Sequence, residues 1–444
     1  MRLPYNRNRT YLSGIDWIIA TIDFYMKKTS NAGNHSTLII QLKNKISTSD
    51  LKERVSKIHS SIPILSSEIR RDFVNLAPYW KKSKKSRTQP LVIENKIIDT
   101  PSELHNLSKK ILNTAFSYPD RHLVFNTSSG KIGNYLFMTF DHKVFDARGA
   151  ELFLNLLEEH SEDTIDKLLK EIKVSNSPKL INWKDKFDAG KDIQRSMIEM
   201  SKTPCYSPIN SNIKKVLKSS QKSSLDFKTI TYSEETTTEI LINSEKLSGF
   251  MMETNFFLAA ATDAIDKAIN ANNGASFNIP MPVDMRKSSK SSLDHLLLNH
   301  LSFIFLNIQK NPNDSIKILS RKFKKALFEQ VELELPEKLI LATRLARICP
   351  LSFLYKFMKL HMNGNICSFA FANVGKNKSI SNILNSEIVN ITHLPRVPTP
   401  PGIGLFFNNF AGKLNFSITW DVNKVEKKSV DAILRHVDEN LKKE

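Results

Sequence analysis

The chain has 444 residues, a length that predicts two large lobes rather than one hydrophobic core. Its apolar fraction of 41% and charged fraction of 25% are ordinary for globular proteins and exclude global disorder. The formal net charge of +19 indicates an acidic partner; the alternative is a compositional bias, since Lys, Asn, Ser and Ile are abundant throughout the chain.

Helical and strand patterns alternate along the N-terminal half. Apolar residues from Leu12 to Tyr25 recur at helical spacing, and Ala150, Phe153 and Leu157 share one face of a later helix. The predicted helices cover residues 11–27, 49–58, 101–115 and 147–157, and the predicted strands cover residues 36–42, 91–98 and 135–140.

Two polar segments interrupt these patterns. Residues 173–227 are rich in Ser, Lys and Asn, which predicts a linker with short helices near 183–200 between an N-terminal lobe, 1–172, and a C-terminal lobe, 228–444. The basic run at 81–87 is typical of a solvated loop, with a docking patch for phosphate or an acidic carrier as the alternative.

The C-terminal half repeats the mixture of helices and strands, which predicts an α/β architecture in both lobes. Its predicted helices cover residues 254–265, 314–330, 335–361 with a break at Pro350, and 429–443. Its predicted strands cover residues 229–232, 276–281, 301–308, 367–373 and 414–421.

Several classes of protein are excluded by the pattern of charges and cysteines. The apolar stretch 339–360 is broken by Arg344 and Lys356, so no transmembrane helix is predicted. Asp16 and Asp23 interrupt what would be the apolar core of a signal peptide. The three Cys residues have no metal-ligand spacing, so neither a disulfide framework nor a metal site is expected. A cytoplasmic protein is the expectation.

One candidate for chemistry lies where a predicted strand gives way to a predicted helix, in the segment Asp-His-Lys-Val-Phe-Asp at 141–146. A neutral imidazole can take a proton from an alcohol or amine that attacks a carbonyl, which makes His142 a candidate general base. Among the 11 His residues, only His142 is followed four residues later by Asp. This spacing alone is weak evidence, because Asp146 also fits the N-cap of the next helix.

The segment resembles the His-His-x-x-x-Asp-Gly motif of the chloramphenicol acetyltransferase-like superfamily, which includes condensation domains, wax ester synthases, alcohol acyltransferases and plant acyl-CoA transferases. Further stretches resemble other family motifs, in the same order. They are residues 62–70 (the early Pro-Leu-Arg segment), 279–286 (the Pro-Val-x-x-Arg strand), Asn299 (the Gly-Asn motif), 371–375 (Ser-Asn-Val-Pro-Gly) and 412–421 (the strand before the terminal helix).

The resemblance implies two similar lobes, each a mixed sheet with covering helices, with a substrate tunnel between them. It also implies that His142 is the base and that Asp146 pairs with Arg286 of the other lobe to hold the loop. Amide N–H groups can stabilise an oxyanion, so Asn299 and Asn373 are candidates for facing the reaction centre, although Asn also ends strands and builds turns.

Two positions depart from the family motif. Asp141 replaces the first His, and we expect its charge to raise the pKa of His142 or to bind a cationic acceptor amine. Ala147 replaces the Gly and adds a methyl group where the family has room for a close backbone approach.

The sequence therefore predicts an acyltransferase that moves an acyl group from coenzyme A or a carrier-protein phosphopantetheine arm to the hydroxyl or amine of a small-molecule or lipid acceptor. No permanently bound cofactor is expected. The alternative is a non-catalytic, condensation-like module that binds an acyl carrier or acyl ligand. Peripheral action at the inner membrane surface is a variant suggested by residues 339–360. Nucleic acid is not expected, because no stacked aromatic platform accompanies the charge.

Overall fold

The computed structural model describes most of the chain. The described residues are 9–73, 76–83, 91–158, 162–172, 183–201, 222–270, 273–286, 293–361, 367–377 and 380–443. Much of the predicted linker and residues 84–87 of the basic run lie outside them.

The described residues form twelve α-helices and fifteen strands. The helices are α1 Gly14–Thr29, α2 Thr48–Ser61, α3 Pro101–Asn113, α4 Ala147–Leu154, α5 Glu162–Glu171, α6 Trp183–Ser201, α7 Glu234–Ser248, α8 Glu253–Ile269, α9 Ile316–Glu332, α10 Leu335–Ala346, α11 Leu351–His361 and α12 Lys427–Lys442. The strands are β1 Thr10–Tyr11, β2 His35–Leu42, β3 Ser67–Arg71, β4 Pro78–Lys82, β5 Val92–Glu94, β6 Leu123–Gly130, β7 Gly133–Asp141, β8 Leu225–Thr231, β9 Ala275–Asp284, β10 Leu301–Lys310, β11 Ala370–Asn377, β12 Asn382–Ile383, β13 Ser386–Pro395, β14 Ile403–Phe410 and β15 Lys413–Asp421.

Local chemistry explains several helix boundaries. Ser13 and Asp16 form a capping box at the start of α1, in which each side chain accepts the backbone N–H of the other residue. Thr100 and Glu103 do the same for α3. The predicted break at Pro350 is confirmed, because α10 ends before it and α11 begins after it.

A six-stranded sheet forms the first lobe, in the order β12-β13-β2-β7-β6-β5. Its strands are antiparallel except for the parallel pair β5 and β6. Leu38 and Ile40 of β2, Val55 of α2 and Phe153 of α4 belong to one buried cluster, so helices cover one face of this sheet.

A four-stranded sheet in the order β11-β14-β15-β8 forms the second lobe, and the separate antiparallel pair β9 and β10 lies beside it. Its core includes Phe257 of α8, which stacks on Phe407 of β14 at 4.6 Å between ring centroids. The run Ala259 to Ala261 is fully buried in α8, where α8 packs against α12. The two sheets and their helices are the predicted mixed α/β lobes.

One strand connects the two lobes. β13 comes from the C-terminal half but pairs with β2 of the first sheet, with Thr392 opposite Ile39. β13 also contacts the second sheet. The side chains of Asn408 on β14 and Asn415 on β15 both donate hydrogen bonds to the carbonyl of Ile391, at 2.7 and 3.1 Å. The second lobe is therefore not the continuous segment 228–444 that the sequence predicted.

None of the helices in the described ranges combines the length and the apolar character that crossing a bilayer requires.

Candidate active site

His142 occupies the turn between β7 and α4. Its backbone N–H donates to the carbonyl of Asn34 at 3.1 Å, and its ring packs edge-on against Phe140 with 5.3 Å between centroids. The ring Nδ1 lies 3.2 Å from the carbonyl oxygen of Phe145. A carbonyl can only accept, so Nδ1 carries the proton of the neutral imidazole and Nε2 keeps its lone pair. This tautomer is the one that a general base needs.

The turn is held by an ion pair from the other lobe. Arg286 donates through Nη2 to both carboxylate oxygens of Asp146, at 2.7 and 2.9 Å. Asp146 also caps α4 by accepting the N–H of Gly149 at 2.7 Å, and it accepts the N–H of His300 at 2.9 Å. The carboxylate of Asp146 therefore serves both as the cap of α4 and as the partner of Arg286. Both of its oxygens accept hydrogen bonds that hold the turn.

Asn299 binds the backbone of the turn rather than facing the imidazole ring. Its Nδ2 donates to the carbonyl of His142 at 2.9 Å and to Oδ1 of Asp16 at 3.0 Å. The preceding residue, Leu298, has a left-handed backbone with φ of 70°, and its N–H donates to Val144 at 2.6 Å. Both amide hydrogens of Asn299 are used in these contacts, so the predicted oxyanion role is wrong for Asn299.

Asp141 is buried at the end of β7, directly before His142. It accepts from His122 Nδ1 at 2.9 Å and from the ammonium group of Lys143 at 3.0 Å. Lys143 also binds Asp23 of α1 at 2.8 Å. Burial opposes ionisation of Asp141, but Lys143 and His122 together hold its pKa below the ordinary value. These contacts orient the residues on both sides of His142.

Comparisons with known proteins give a likeness of fold. No family model and no curated protein sequence matches the chain. The first condensation domain of the CDA synthetase superposes with a TM-score of 0.67 and 10% identity, covering 98% of this chain and 97% of that one. TRI3 trichothecene 15-O-acetyltransferase from Fusarium sporotrichioides gives 0.65 and 12%, covering 98% and 95%. Polyketide synthase associated protein 5 from Mycobacterium tuberculosis gives 0.60 and 13%, covering 99% of each chain. The chain has the fold of this condensation domain and this acetyltransferase.

Asp141, which stands where the family motif has its first His, has the predicted electrostatic effect on His142, but burial has a larger one. Burial lowers the pKa of His142 below its ordinary value of 6.5, and this outweighs the opposing effect of Asp141. Asp141 thus acts in the predicted direction, but the net pKa of His142 is lowered because burial has the larger effect. Asp141 is also unavailable to a cationic acceptor, because its side chain is only 5% exposed and is paired with Lys143.

The second departure also has a structural reason. In this chain the close backbone approach occurs at Gly149, where an added Cβ would lie 2.4 Å from the carbonyl oxygen of Leu296. Ala147 is partly exposed at the first position of α4. The methyl group of Ala147 is thus accommodated, and Gly149 is the position that permits contact between α4 and residues 293–298.

Asn373 lies on β11 of the second lobe. It donates from Nδ2 to Thr254 Oγ1 at 3.0 Å and accepts the N–H of Gly375 at 3.1 Å. Among the described residues no hydrogen bond joins it to His142, and its role at a reaction centre stays a prediction.

Four contributors to the site were not predicted as site residues: Asp16, Asp23, His122 and Lys143. Asp16 had a signal only as a charge that interrupts an apolar stretch, and Lys143 had one only as a neighbour of His142. The other two come from α1 and from just before β6, and no motif marks them.

Proposed function

We propose that this chain transfers an acyl group from a thioester to a hydroxyl or amine, with His142 as general base. The observation that supports this most directly is the hydrogen bond of Nδ1 to the Phe145 carbonyl, which leaves Nε2 as a proton acceptor. The lowered pKa of His142 keeps this nitrogen unprotonated at neutral pH.

The reaction needs one proton acceptor and one carbonyl centre. Nε2 takes the proton of the acceptor hydroxyl or amine as its oxygen or nitrogen forms a bond to the thioester carbonyl carbon. The tetrahedral intermediate then collapses, the carbon–sulfur bond breaks, and the imidazolium returns the proton to the thiolate. The ester or amide and a free thiol are the products. The rigid turn contributes by holding the ring in place throughout.

The donor in this proposal is acyl-coenzyme A or an acyl-phosphopantetheine arm on an acidic carrier protein, and it is a co-substrate. The net charge of +19 supports either donor, since the first carries phosphates and the second presents acidic side chains. The condensation domain and the acetyltransferase among the structural neighbours support acyl transfer as the general reaction class.

The test compares His142→Ala with the unsubstituted chain on a panel of acyl-coenzyme A thioesters and alcohol or amine acceptors, following thiol release and product mass. We expect the rate to fall about 10²- to 10⁴-fold. His436→Ala is the matched control, because the one partner of His436 within the described part of the chain is Glu439, on the surface of α12. Undiminished transfer by His142→Ala would overturn the assignment. Thioester binding without turnover with any acceptor would instead favour the non-catalytic module.

A further inference from the structure

Two adjacent apolar side chains are exposed at the turn between α7 and α8. Phe250 is 74% exposed and Met251 is 80% exposed, although both are large and apolar. Gly249 and Met251 have positive φ angles of 102° and 60°, and the second is unfavourable for a residue with a side chain. The strained backbone gains no burial for these two side chains, which indicates that the turn contacts something outside the fold.

A stripe of α9 faces solvent beside this turn. Its five residues are spaced four and three positions apart, so they lie on one face of the helix. They are Lys317, Arg321, Lys324, Phe328 and Val331. Phe328 is 49% exposed and Val331 is 50% exposed. The stripe therefore places three cations in line with two exposed apolar side chains.

Two contacts join the turn to the stripe. A Cβ added at Gly249 would lie 3.6 Å from Nζ of Lys324, so this ammonium group lies directly against the turn. The same Nζ lies 5.9 Å from the ring centroid of Phe328. Beneath them, the buried hydroxyl of Ser320 donates to that of Ser248 at 2.5 Å. Phe250, Met251 and the five residues of the stripe thus form one surface, which we call the α9 surface.

The charge of the α9 surface is positive. Within the described part of the chain, Lys317, Arg321 and Lys324 form no ion pair with a carboxylate. The nearest carboxylate along the helix, Glu329, lies outside the stripe and 3.9 Å from Lys325. The α9 surface therefore combines unpaired cations with exposed apolar side chains.

This combination fits the surface of an anionic phospholipid membrane. Lys and Arg are attracted to acidic headgroups, and apolar side chains enter the boundary between headgroups and acyl chains. Phe250 and Met251 protrude from a turn, and a bilayer accepts protruding side chains of any shape, whereas a protein partner needs a complementary hollow. A second copy of this chain fits less well, because its identical surface would bring the same cations face to face.

We propose that the α9 surface binds this chain reversibly to anionic phospholipid membranes. The cations attract the chain to the bilayer, and Phe250 and Met251 insert between the headgroups. The surface does not include residues 339–360. It also shares no residue with the turn that carries His142, so the proposal does not depend on acyl transfer.

The experiment measures co-sedimentation of the full chain with phospholipid vesicles. We expect binding to vesicles of phosphatidylcholine and phosphatidylserine in equal amounts, little binding to phosphatidylcholine alone, and weaker binding as salt is added. Phe250→Ser with Met251→Ser should weaken binding at least about 10-fold, and so should Arg321→Glu with Lys324→Glu. In Phe250→Trp, the added fluorescence should shift to shorter wavelength when the anionic vesicles are present.

The matched controls lie on the first lobe. Ile97→Ser removes an apolar side chain that is 71% exposed, and Lys45→Glu with Lys52→Glu makes the same change of net charge at exposed positions. Both controls should bind as the unsubstituted chain does. Thermal melting establishes that each variant is folded, and the Phe250→Trp measurement keeps the test available if a double substitution unfolds the chain.

Three results would overturn the proposal. The first is an unsubstituted chain that does not sediment with anionic vesicles at low salt. The second is vesicle binding that survives both double substitutions of the α9 surface, or that the charge control on the first lobe weakens equally. The third is binding to soluble polyglutamate without binding to vesicles, which would assign the surface to an acidic protein.

Discussion

Asp16 accepts two hydrogen bonds from Asn299, one from its backbone N–H and one from its side-chain amide, each 3.0 Å long. The two residues are 283 positions apart in the chain. The same amide donates to the carbonyl of His142, so one side chain connects the start of α1, the approach to β10 and the turn that carries the candidate base. The backbone of His142 is thus positioned by contacts from distant parts of the sequence.

Asn299→Asp should destabilise the chain more than Asn299→Ala. The Asp variant places a carboxylate against Asp16 and the His142 carbonyl, both of which only accept. We expect a loss of about 3–5 kcal/mol in the free energy of unfolding for Asp and about 1–3 kcal/mol for Ala, measured by urea denaturation. Asn382→Asp, at an exposed position of β12, is the control and should stay within about 0.5 kcal/mol. Equal stability of both Asn299 variants would contradict this account.

Arg286→Ala should cost about 3–5 kcal/mol of unfolding free energy, because it leaves the buried carboxylate of Asp146 without its counter-ion. Lys43→Ala removes one partner of an exposed ion pair with Glu387 and should leave the free energy of unfolding nearly unchanged. Denaturant titration of both variants checks the difference. Arg286→Lys should also lose stability, because an ammonium group cannot keep the contacts to Asp146, Asp284 and the backbone at once. Similar values for all three would refute the structural importance of the pair.

Two lysines that bind the same carboxylate allow a matched comparison. Lys143 and Lys27 both contact Oδ2 of Asp23, at 2.8 and 2.7 Å, but their side chains are 10% and 53% exposed. Lys143→Met leaves Asp23 and Asp141 facing each other with less compensation, and we expect a loss of at least about 2 kcal/mol in thermal or urea unfolding. Lys27→Met should cost less than about 1 kcal/mol. The reverse order would show that the network around Lys143 contributes little.

Features that depend on neighbouring residues in the chain could be predicted from the sequence, and features that depend on distant residues could not. Helical spacing located α1 closely, and Pro350 marked a true helix break. Strand β13 was missed, because the sequence Ser-Glu-Ile-Val-Asn-Ile-Thr-His-Leu-Pro has no clean alternation and the strand pairs with a sheet of the other lobe. Ten consecutive residues contain no signal that would identify a pairing strand more than 300 residues away, as β2 is from β13.

The site shows the same division between local and distant signals. The pairing of Asp146 with Arg286 followed from resemblance, and the structure brings the two side chains together. The direction of the Asn299 amide was not predictable, because it is set by Asp16, which lies 283 positions earlier in the chain. The sign of the pKa shift of His142 was also missed, since it depends on burial that a sequence does not display.

Gly149→Ala should destabilise the chain, although Ala is the better helix former. The added Cβ would lie 2.4 Å from the backbone oxygen of Leu296, and a backbone atom cannot move aside cheaply. We expect a loss of at least about 2 kcal/mol, with a lower melting temperature. Gly190→Ala in α6 meets no atom within 4 Å and should gain about 0.5–1 kcal/mol. If Gly149→Ala stabilised the chain, the backbone of α4 at residue 149 would have to lie further from the carbonyl oxygen of Leu296 than it does in this structure.

His35 predicts how the stability of the chain depends on pH. The side chain is buried, and its Nε2 donates to the carbonyl of Leu112 at 3.1 Å. Burial, assisted by the nearby Arg396, lowers the pKa of His35 to about 3. The unfolded chain, with an ordinary His pKa of about 6.5, therefore takes up this proton first as the pH falls. The stabilisation from neutral His35 is complete above pH 6.5 and is lost progressively between pH 6.5 and 3.

The expected loss from this one group is about 2 kcal/mol at pH 5. His35→Gln retains an N–H that can reach the Leu112 carbonyl but cannot titrate, so it should show a fall in stability between pH 7.5 and 5 that is smaller by about that amount. Urea denaturation of both proteins at the two pH values measures the difference. Because other carboxylates and histidines titrate equally in both proteins, they cancel in this comparison. Identical pH dependence of the two proteins would show that His35 becomes protonated in the folded chain as readily as in the unfolded one.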